Sequence, residues 1–161
     1  MTIEIREATP DDLHAICVLG QEVNRLHHDA WPQVFAPPSD PRHDASHWQQ
    51  SVAKPDATAF VGEQAGQIVA FITVSLVAES NPLLQPMQVA RVGSVCVSAS
   101  LRRHGIGRSL MARVEQWAHE RGAGDIRLNV WAFNAEALRF YEELGYAVRS
   151  HGMGKVLSRA A

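Results

Sequence analysis

The sequence predicts a mixed domain of the α/β or α+β class with a group of strands at its centre. Segments of alternating apolar and polar residues have the period of a half-buried strand, and segments with apolar residues three and four apart have the period of an amphipathic helix. These segments follow the order β-α-α-β-β-β-α-β-α-β, and no linker, repeat or low-complexity tract interrupts them. The 161 residues therefore predict one domain, residues 1–161.

The amino-terminal elements are a strand and a helix. Ile3 and Ile5 alternate with polar neighbours, which predicts a short strand. Thr9 can cap a helix that begins at Pro10. The apolar stripe of this helix is Leu13, Ile16, Val23 and Leu26. Gly20 is its weak position, because glycine costs helix stability.

The middle of the chain predicts a loop, a short helix and three strands. Four prolines between residues 29 and 42 predict an irregular loop. The segment Gln64-Ala65-Gly66 separates two strand patterns and is typical of a hairpin turn. The elements are a helix over 44–52 and strands over 58–63, 67–77 and 88–97.

The last third predicts alternating helices and strands. Gly122 and Gly145 each follow a helical pattern, and glycine commonly ends a helix. The elements are a helix over 108–121, a strand over 125–132, a helix over 134–144 and closing strands over 146–148 and 155–157.

Composition excludes several classes of protein. Apolar residues make up 46% and charged residues 20% of the chain, as in ordinary globular proteins. The formal net charge of −2 argues against nucleic-acid binding. The longest apolar run, residues 68–78, falls short of the about 20 residues that a membrane span needs. Two cysteines and a start without an apolar signal segment predict a cytoplasmic protein. We expect neither a nucleic-acid nor a membrane partner, and the sequence leaves a homodimer open.

The segment from Val95 to Arg108 carries the clearest sign of chemistry. It predicts a strand, a turn with glycines at 105 and 107, and the start of a helix. Glycine lets the backbone approach a ligand closely, and the first N–H groups of a helix attract anions. Three arginines surround this turn: Arg102, Arg103 and Arg108. A phosphate or pyrophosphate is the expected ligand, and a simple tight turn is the alternative. The segment is not a Walker A motif, and it lacks the third glycine of a dinucleotide-binding motif.

Two motifs resemble those of one family. Arg102-x-x-Gly105-x-Gly107 after Val95-Cys96-Val97 resembles the acetyl-CoA-binding signature of the GNAT superfamily, the Gcn5-related N-acetyltransferases. The segment from Asn134 to Tyr146 is similar to the family's N-x-x-A-x-x-x-Y-x-x-x-G-F/Y element. A helix and a strand separate the two motifs, as in the family. The resemblance implies a mostly antiparallel central sheet flanked by helices, with a splayed strand before the acetyl-CoA loop.

The resemblance also implies a role for each matching residue. The backbone of Val95, Cys96 and Val97 would pair with the pantetheine arm of acetyl-CoA as an added strand does. Asn134 would contact pantetheine. Tyr141 would donate a proton to the departing CoA thiolate, since a phenol with a pKa of about 10 is protonated at neutral pH. A core aromatic is the other interpretation of Tyr141. The residues expected around the pyrophosphate are Arg102, Arg103, His104, Gly105, Ile106, Gly107 and Arg108.

The implied activity is transfer of an acetyl group from acetyl-CoA to a primary amine of a small molecule or peptide, by direct attack. A module of the same fold that binds acyl-CoA without catalysis is the alternative. Gly93 and Ser94 stand where family members often carry an acidic residue. The general base is therefore left open between a water relay and the candidates Glu79, His27, His28 and Asp29.

Residues 24–48 are expected to build much of the acceptor pocket, because the family uses this region for its acceptors. Trp31, Phe35 and Trp48 offer apolar walls, and packing on the core is an equal alternative for each. A second hypothesis for this region is a metal site, since His43 and His47 would be four residues apart on one helix face if that segment is helical. The candidate ligands are His27, His28, His43 and His47, with Asp29 and Asp44. They lack a cysteine partner and a second fixed pair, so we expect no metal.

Overall fold

The structure is a computed structural model that describes residues 2–52 and 54–157. These residues divide after Asn129 into two compact units. The first unit contains β1 (Glu4–Glu7), α1 (Leu13–Ala30), α2 (Ala45–Gln49), β2 (Ala57–Gln64), β3 (Gln67–Ala78), β4 (Gln88–Val97), α3 (Ile106–Glu120) and β5 (Asp125–Arg127). The second contains α4 (Ala135–Glu143). A single domain over residues 1–161 stays a prediction.

The central sheet is mixed and mostly antiparallel, as the resemblance implies. Its strand order is β1-β2-β3-β4-β5; the first three pairs are antiparallel and β4–β5 is parallel. The predicted hairpin joins β2 to β3 through Ala65 and Gly66, whose φ angles are 50° and 77°. Two consecutive positive φ angles are typical of the type I′ turn, whose twist matches that of the strands. The hairpin prediction is confirmed.

The strands β4 and β5 separate after a short stretch of pairing. Their register covers only Val89–Arg91 against Asp125–Arg127. Beyond Arg91, no described residue of the first unit pairs with β4 on this side. The edge at Val95–Val97 is therefore open within this unit, which confirms the splayed strand.

Helices cover both faces of the sheet. On one face Ile16 and Leu19 of α1 and Trp48 of α2 pack on a cluster that includes Phe71, whose ring centroid lies 5.1 Å from that of Trp48. On the other face α3 contacts β2, β3 and β4. The buried stripe of α3 is Leu110, Met111, Val114 and Trp117, the helical spacing read from the sequence. None of the helices among the described residues is both long and apolar enough to cross a membrane.

Gly20 on α1 is a packing requirement as well as a weak helix position. A Cβ at this residue would lie 2.7 Å from Cζ2 of Trp48, which is buried. We expect Gly20→Ala to destabilise the fold by up to about 2 kcal/mol, because overpacking costs about 1–3 kcal/mol and the gain in helix propensity is about 1 kcal/mol. Urea unfolding measures this change. Most of this loss of stability should vanish in a Trp48→Leu background. A loss of the same size in that background would show that contact with Trp48 is not its cause.

Two predicted elements are shorter in the structure, and the two predicted closing strands are not found among the described residues. β5 ends at Arg127, whereas the alternation predicts a strand as far as Ala132; within the first unit β5 pairs only with β4, and that pairing ends at Arg127. Within the second unit taken by itself, residues 146–148 and 155–157 form no strand. The described part of that unit contains a helix and no strand to supply backbone partners. The predicted helix over 44–52 is also shorter, since α2 ends at Gln49.

Candidate functional site

The turn between β4 and α3 has left-handed backbone at two positions. Gly105 immediately precedes α3 and has a φ of 81°, and Arg103 has a φ of 65°. A non-glycine residue in this region costs about 1–3 kcal/mol, and such residues cluster at functional sites as well as in tight turns. A Cβ on Gly105 would have no atom within 4 Å, so the space beside the turn is open. The first N–H groups of α3 have no acceptor within the helix and point toward this end.

The predicted pyrophosphate residues have different environments. Arg102 ties the turn to the rest of the first unit: its Nε donates to the Val97 carbonyl oxygen at 3.1 Å, and its guanidinium lies 3.7 Å from Glu22 of α1. The His104 ring contacts the Arg102 carbonyl oxygen at 2.8 Å and braces the same turn. The side chains of Arg103 and Arg108 are exposed, and Gly107 is half-buried.

Ile106 offers its backbone rather than its side chain, which is only 4% exposed. Cys96 on β4 is also buried, and its thiol lies 3.4 Å from the Leu19 carbonyl oxygen. Burial raises the pKa of Cys96 to about 12, so the thiol stays protonated at neutral pH. Like Ile106, it can serve a ligand only through its backbone.

A bulge interrupts β4 at Gly93. The register of β3 and β4 shifts between Ile72 and Val74, and the Ser94 N–H donates to Thr73 Oγ1 at 2.9 Å. A Cβ on Gly93 would lie 2.6 Å from the same Thr73 oxygen. The bulge therefore requires glycine, and an acidic side chain at position 93 would displace Thr73. This accounts for the missing carboxylate at this position.

A cavity of about 320 Å³ opens beside the bulge. It lies on the part of the sheet where β4 and β5 begin to separate. Its lining is Ser51, Thr73, Val74, Ser75, Arg91, Val92, Gly93 and Asn129. None of these described residues has a carboxylate or an imidazole, so the lining offers no conventional general base. The sequence reasoning missed every member of this set except Gly93, although a glycine inside a strand is a recognised sign of a bulge.

The base candidates suggested by the sequence lie outside this lining, and Glu79, His27 and His28 make contacts elsewhere. The Glu79 carboxylate accepts from the backbone N–H of Asn81 and lies 2.5 Å from the Arg127 guanidinium. Both contacts stabilise the charged form and hold the pKa of Glu79 below its usual range. Burial lowers the pKa of His27, which stacks on Phe35 with ring centroids 4.9 Å apart. The His28 Nδ1 lies 2.8 Å from the Phe35 carbonyl oxygen. Asp29 is exposed at the end of α1.

The segment expected to form the acceptor pocket is held to α1 by polar contacts. Gln21 contacts Asp44 through its amide nitrogen and accepts from the Ser39 N–H at 2.8 Å. Asn24 donates to Asp44 at 3.0 Å. Trp48 is part of the core, so its packing interpretation is confirmed. The described residues bring together no group of three or more histidine, cysteine or acidic side chains that could hold a metal ion, and the histidines of this segment therefore form no such cluster.

The second unit carries the other two predicted site residues. Asn134 caps α4, and its side-chain oxygen accepts from the Ala137 N–H at 3.1 Å. Tyr141 is half-buried on α4 between the rings of Phe140 and Tyr146, at centroid distances of 5.1 and 5.9 Å. Burial raises the pKa of Tyr141 to about 12. The phenol is therefore protonated throughout the neutral range and can act as a proton donor.

Comparison with known proteins gives a consistent result. Residues 21–146 match the model of the acetyltransferase (GNAT) family. Aminoglycoside N(6′)-acetyltransferase type 1 of Serratia marcescens is 26% identical over 123 residues, which cover 74% of this chain and 84% of that protein. The crystal structure of a mutant of the BH1408 protein from Bacillus halodurans superimposes with a TM-score of 0.86 at 26% identity, covering 96% of this chain and 99% of that one. The aminoglycoside N-acetyltransferase AAC(6′)-Iy in complex with CoA shares the fold, with a TM-score of 0.76 at 15% identity, covering 99% and 96% of the two chains.

Proposed function

The chain belongs to the acetyltransferase (GNAT) family, and we propose that it transfers an acetyl group from acetyl-CoA to a primary amine of a small molecule or peptide. The open edge of β4 at Val95–Val97, followed directly by the left-handed turn at Gly105, is the observation that carries this proposal. An extended ligand with an anionic end fits an unpaired strand edge that leads into a helix N-terminus.

Each part of this segment suits a part of acetyl-CoA. The backbone N–H and C=O groups of Val95 and the N–H group of Val97 would pair with the amide groups of pantetheine, while the Val97 carbonyl oxygen accepts from Arg102. The N–H groups from Arg103 to Arg108 would hold the pyrophosphate, because the open space at Gly105 lets an anion approach the backbone. The Arg102 contacts to Val97 and Glu22 keep the turn in place before the ligand arrives.

The proposed reaction is a direct attack by the neutral amine on the thioester carbonyl carbon. A C–N bond forms, the C–S bond breaks, and Tyr141 gives its phenolic proton to the departing thiolate, which leaves as CoA thiol. The amine nitrogen loses a proton to water, and the Tyr141 phenolate regains one from water. Water is the proton acceptor in this scheme because the described cavity lining contains no base.

The test is release of CoA thiol from acetyl-CoA in the presence of a panel of primary amines. Turnover that depends on the amine, with the N-acetyl product identified by mass spectrometry, supports the proposal. Tight binding of acetyl-CoA by calorimetry without turnover on any amine would favour the non-catalytic module instead.

The pH dependence of the reaction follows from the same scheme. We expect kcat/KM for the amine to rise about tenfold per pH unit until the pKa of the free amine is reached, because only the neutral amine attacks. Because burial raises the pKa of Tyr141 to about 12, kcat at saturating amine should not fall between about pH 8 and about pH 10.5. Initial rates measured across this pH range give the pH dependence of both kcat/KM and kcat. A loss of kcat with unit slope near pH 9 would contradict the role of a buried phenol.

A further inference from the structure

We propose that the amine acceptor of this protein also carries an oxyanion, a carboxylate or a phosphate, and that Arg91 binds this group. The inference rests on the proposed acetyl transfer and names the substrate class that the cavity beside Gly93 favours. A cavity next to the reacting position selects its substrate by the charges and hydrogen-bonding groups of its walls.

The polar part of this cavity is positive and neutral. Arg91 supplies the positive charge, and Ser51, Ser75 and Asn129 add hydroxyl and amide groups. No described residue of the lining is negative. Arg91 makes no hydrogen bond or ion pair with the described residues, so its guanidinium is available to a ligand. The planar guanidinium donates two parallel hydrogen bonds to a carboxylate or phosphate.

The neighbouring arginine on the same face of the sheet, Arg127, forms ion pairs, whereas Arg91 forms none with the described residues. Arg127 is the register partner of Arg91 across β4 and β5. It is paired with Glu79 at 2.5 Å and with Asp125 at 2.9 Å. Both nearby carboxylates are therefore engaged by Arg127, and neither forms an ion pair with Arg91. The different pairing of these two arginines marks Arg91 as the ligand-binding one.

The dimensions favour a small acceptor. Arg91 lies two residues before Gly93 on β4, a Cα separation of about 7 Å in an extended strand. The cavity of about 320 Å³ has roughly the volume of ten water molecules, which suits an amine a few bonds away from its acidic group. An acceptor with several ammonium groups, such as an aminoglycoside, would meet the charge of Arg91 and find no carboxylate in the described lining.

Two matched substrate pairs test the inference. Each pair compares an amine that carries an oxyanion with a neutral analogue: β-alanine with β-alanine amide, and O-phosphoethanolamine with ethanolamine. We expect the wild-type protein to prefer the anionic member of at least one pair by about ten- to hundredfold in kcat/KM. The pair that shows the preference identifies the oxyanion.

The variant Arg91→Gln should bring that ratio close to one. Arg121→Gln, which removes the same charge from the exposed end of α3, should leave the ratio unchanged. The two amines of a pair differ in pKa, and this difference affects the wild-type protein and its variants equally. It therefore cancels when the kcat/KM ratio of one pair is compared between variants.

The outcomes separate this inference from the proposed function. Turnover without a preference for the anionic member, or a preference that survives in Arg91→Gln, overturns the inference and leaves acetyl transfer intact. If acetyl-CoA binds and no amine is turned over, calorimetry with β-alanine and O-phosphoethanolamine decides. Binding that Arg91→Gln abolishes supports the cavity assignment and overturns the proposed reaction, and no binding overturns both.

Discussion

Replacing Tyr141 with phenylalanine is expected to lower kcat by about 10²–10³-fold, because general acid catalysis typically contributes a factor of about 10²–10⁴. The substitution removes one oxygen from a half-buried ring that packs against Phe140 and Tyr146. The apolar packing stays, so the affinity for acetyl-CoA measured by calorimetry should remain near the wild-type value. A fall in kcat without a change in binding would separate proton donation from a structural role.

Tyr146→Phe is the matched control for this experiment. It removes the same hydroxyl group from the other tyrosine of the chain, on a ring 5.9 Å away. The motif that this segment resembles accepts phenylalanine at that position, so Tyr146→Phe should keep nearly full activity. Equal losses in both variants, or no loss in Tyr141→Phe, would contradict the general-acid assignment.

Replacing Gly105 with valine is expected to weaken acetyl-CoA binding by about a hundredfold or more. Gly105 has a φ of 81°, and a β-branched residue in left-handed backbone is strained by about 1–2 kcal/mol or more. The backbone of the turn must then change, and the N–H groups at the start of α3 lose the alignment on which anion binding depends. Calorimetric titration with acetyl-CoA measures the change.

The chain offers a matched control at the other end of the same helix. Gly122 follows α3 with a φ of 74°, and like Gly105 it has no atom within 4 Å of an added Cβ. Gly122→Val carries similar backbone strain away from the turn, so it should lower the unfolding temperature without lowering acetyl-CoA affinity. Gly105→Asn adds a further comparison, because asparagine tolerates left-handed backbone. Wild-type affinity in Gly105→Val would overturn the assignment of this turn.

Local chemistry explains why much of the fold follows from the sequence. The hairpin from β2 to β3 is fixed by a turn that requires positive φ, and β4 has the predicted bounds Gln88–Val97. Elements that depend on distant partners are harder to predict. The pattern after Arg127 continues to alternate although the pairing with β4 ends there, and no local signal in the sequence reports where these two strands separate.

One part of the candidate site can likewise be predicted from the sequence, and another part cannot. The glycine turn can be predicted because its residues are consecutive, and its anion-binding groups belong to the backbone. The cavity beside the bulge combines residues from β3, β4 and the segments after α2 and β5, so no spacing in the sequence joins them. Arg102 shows a further limit of prediction from sequence. An arginine beside an anion-binding turn can either bind the anion or stabilise the turn, and the sequence does not distinguish these roles. Its contacts with Val97 and Glu22 in the structure indicate the second role.

Consecutive residues of α1 connect two segments that are far apart in sequence. Glu22 faces Arg102 of the glycine turn, and Gln21 holds both Ser39 and Asp44 of the segment before α2. The glycine turn and the segment before α2 therefore both contact this one turn of α1. A displacement of the helix here would therefore alter contacts of both segments at once.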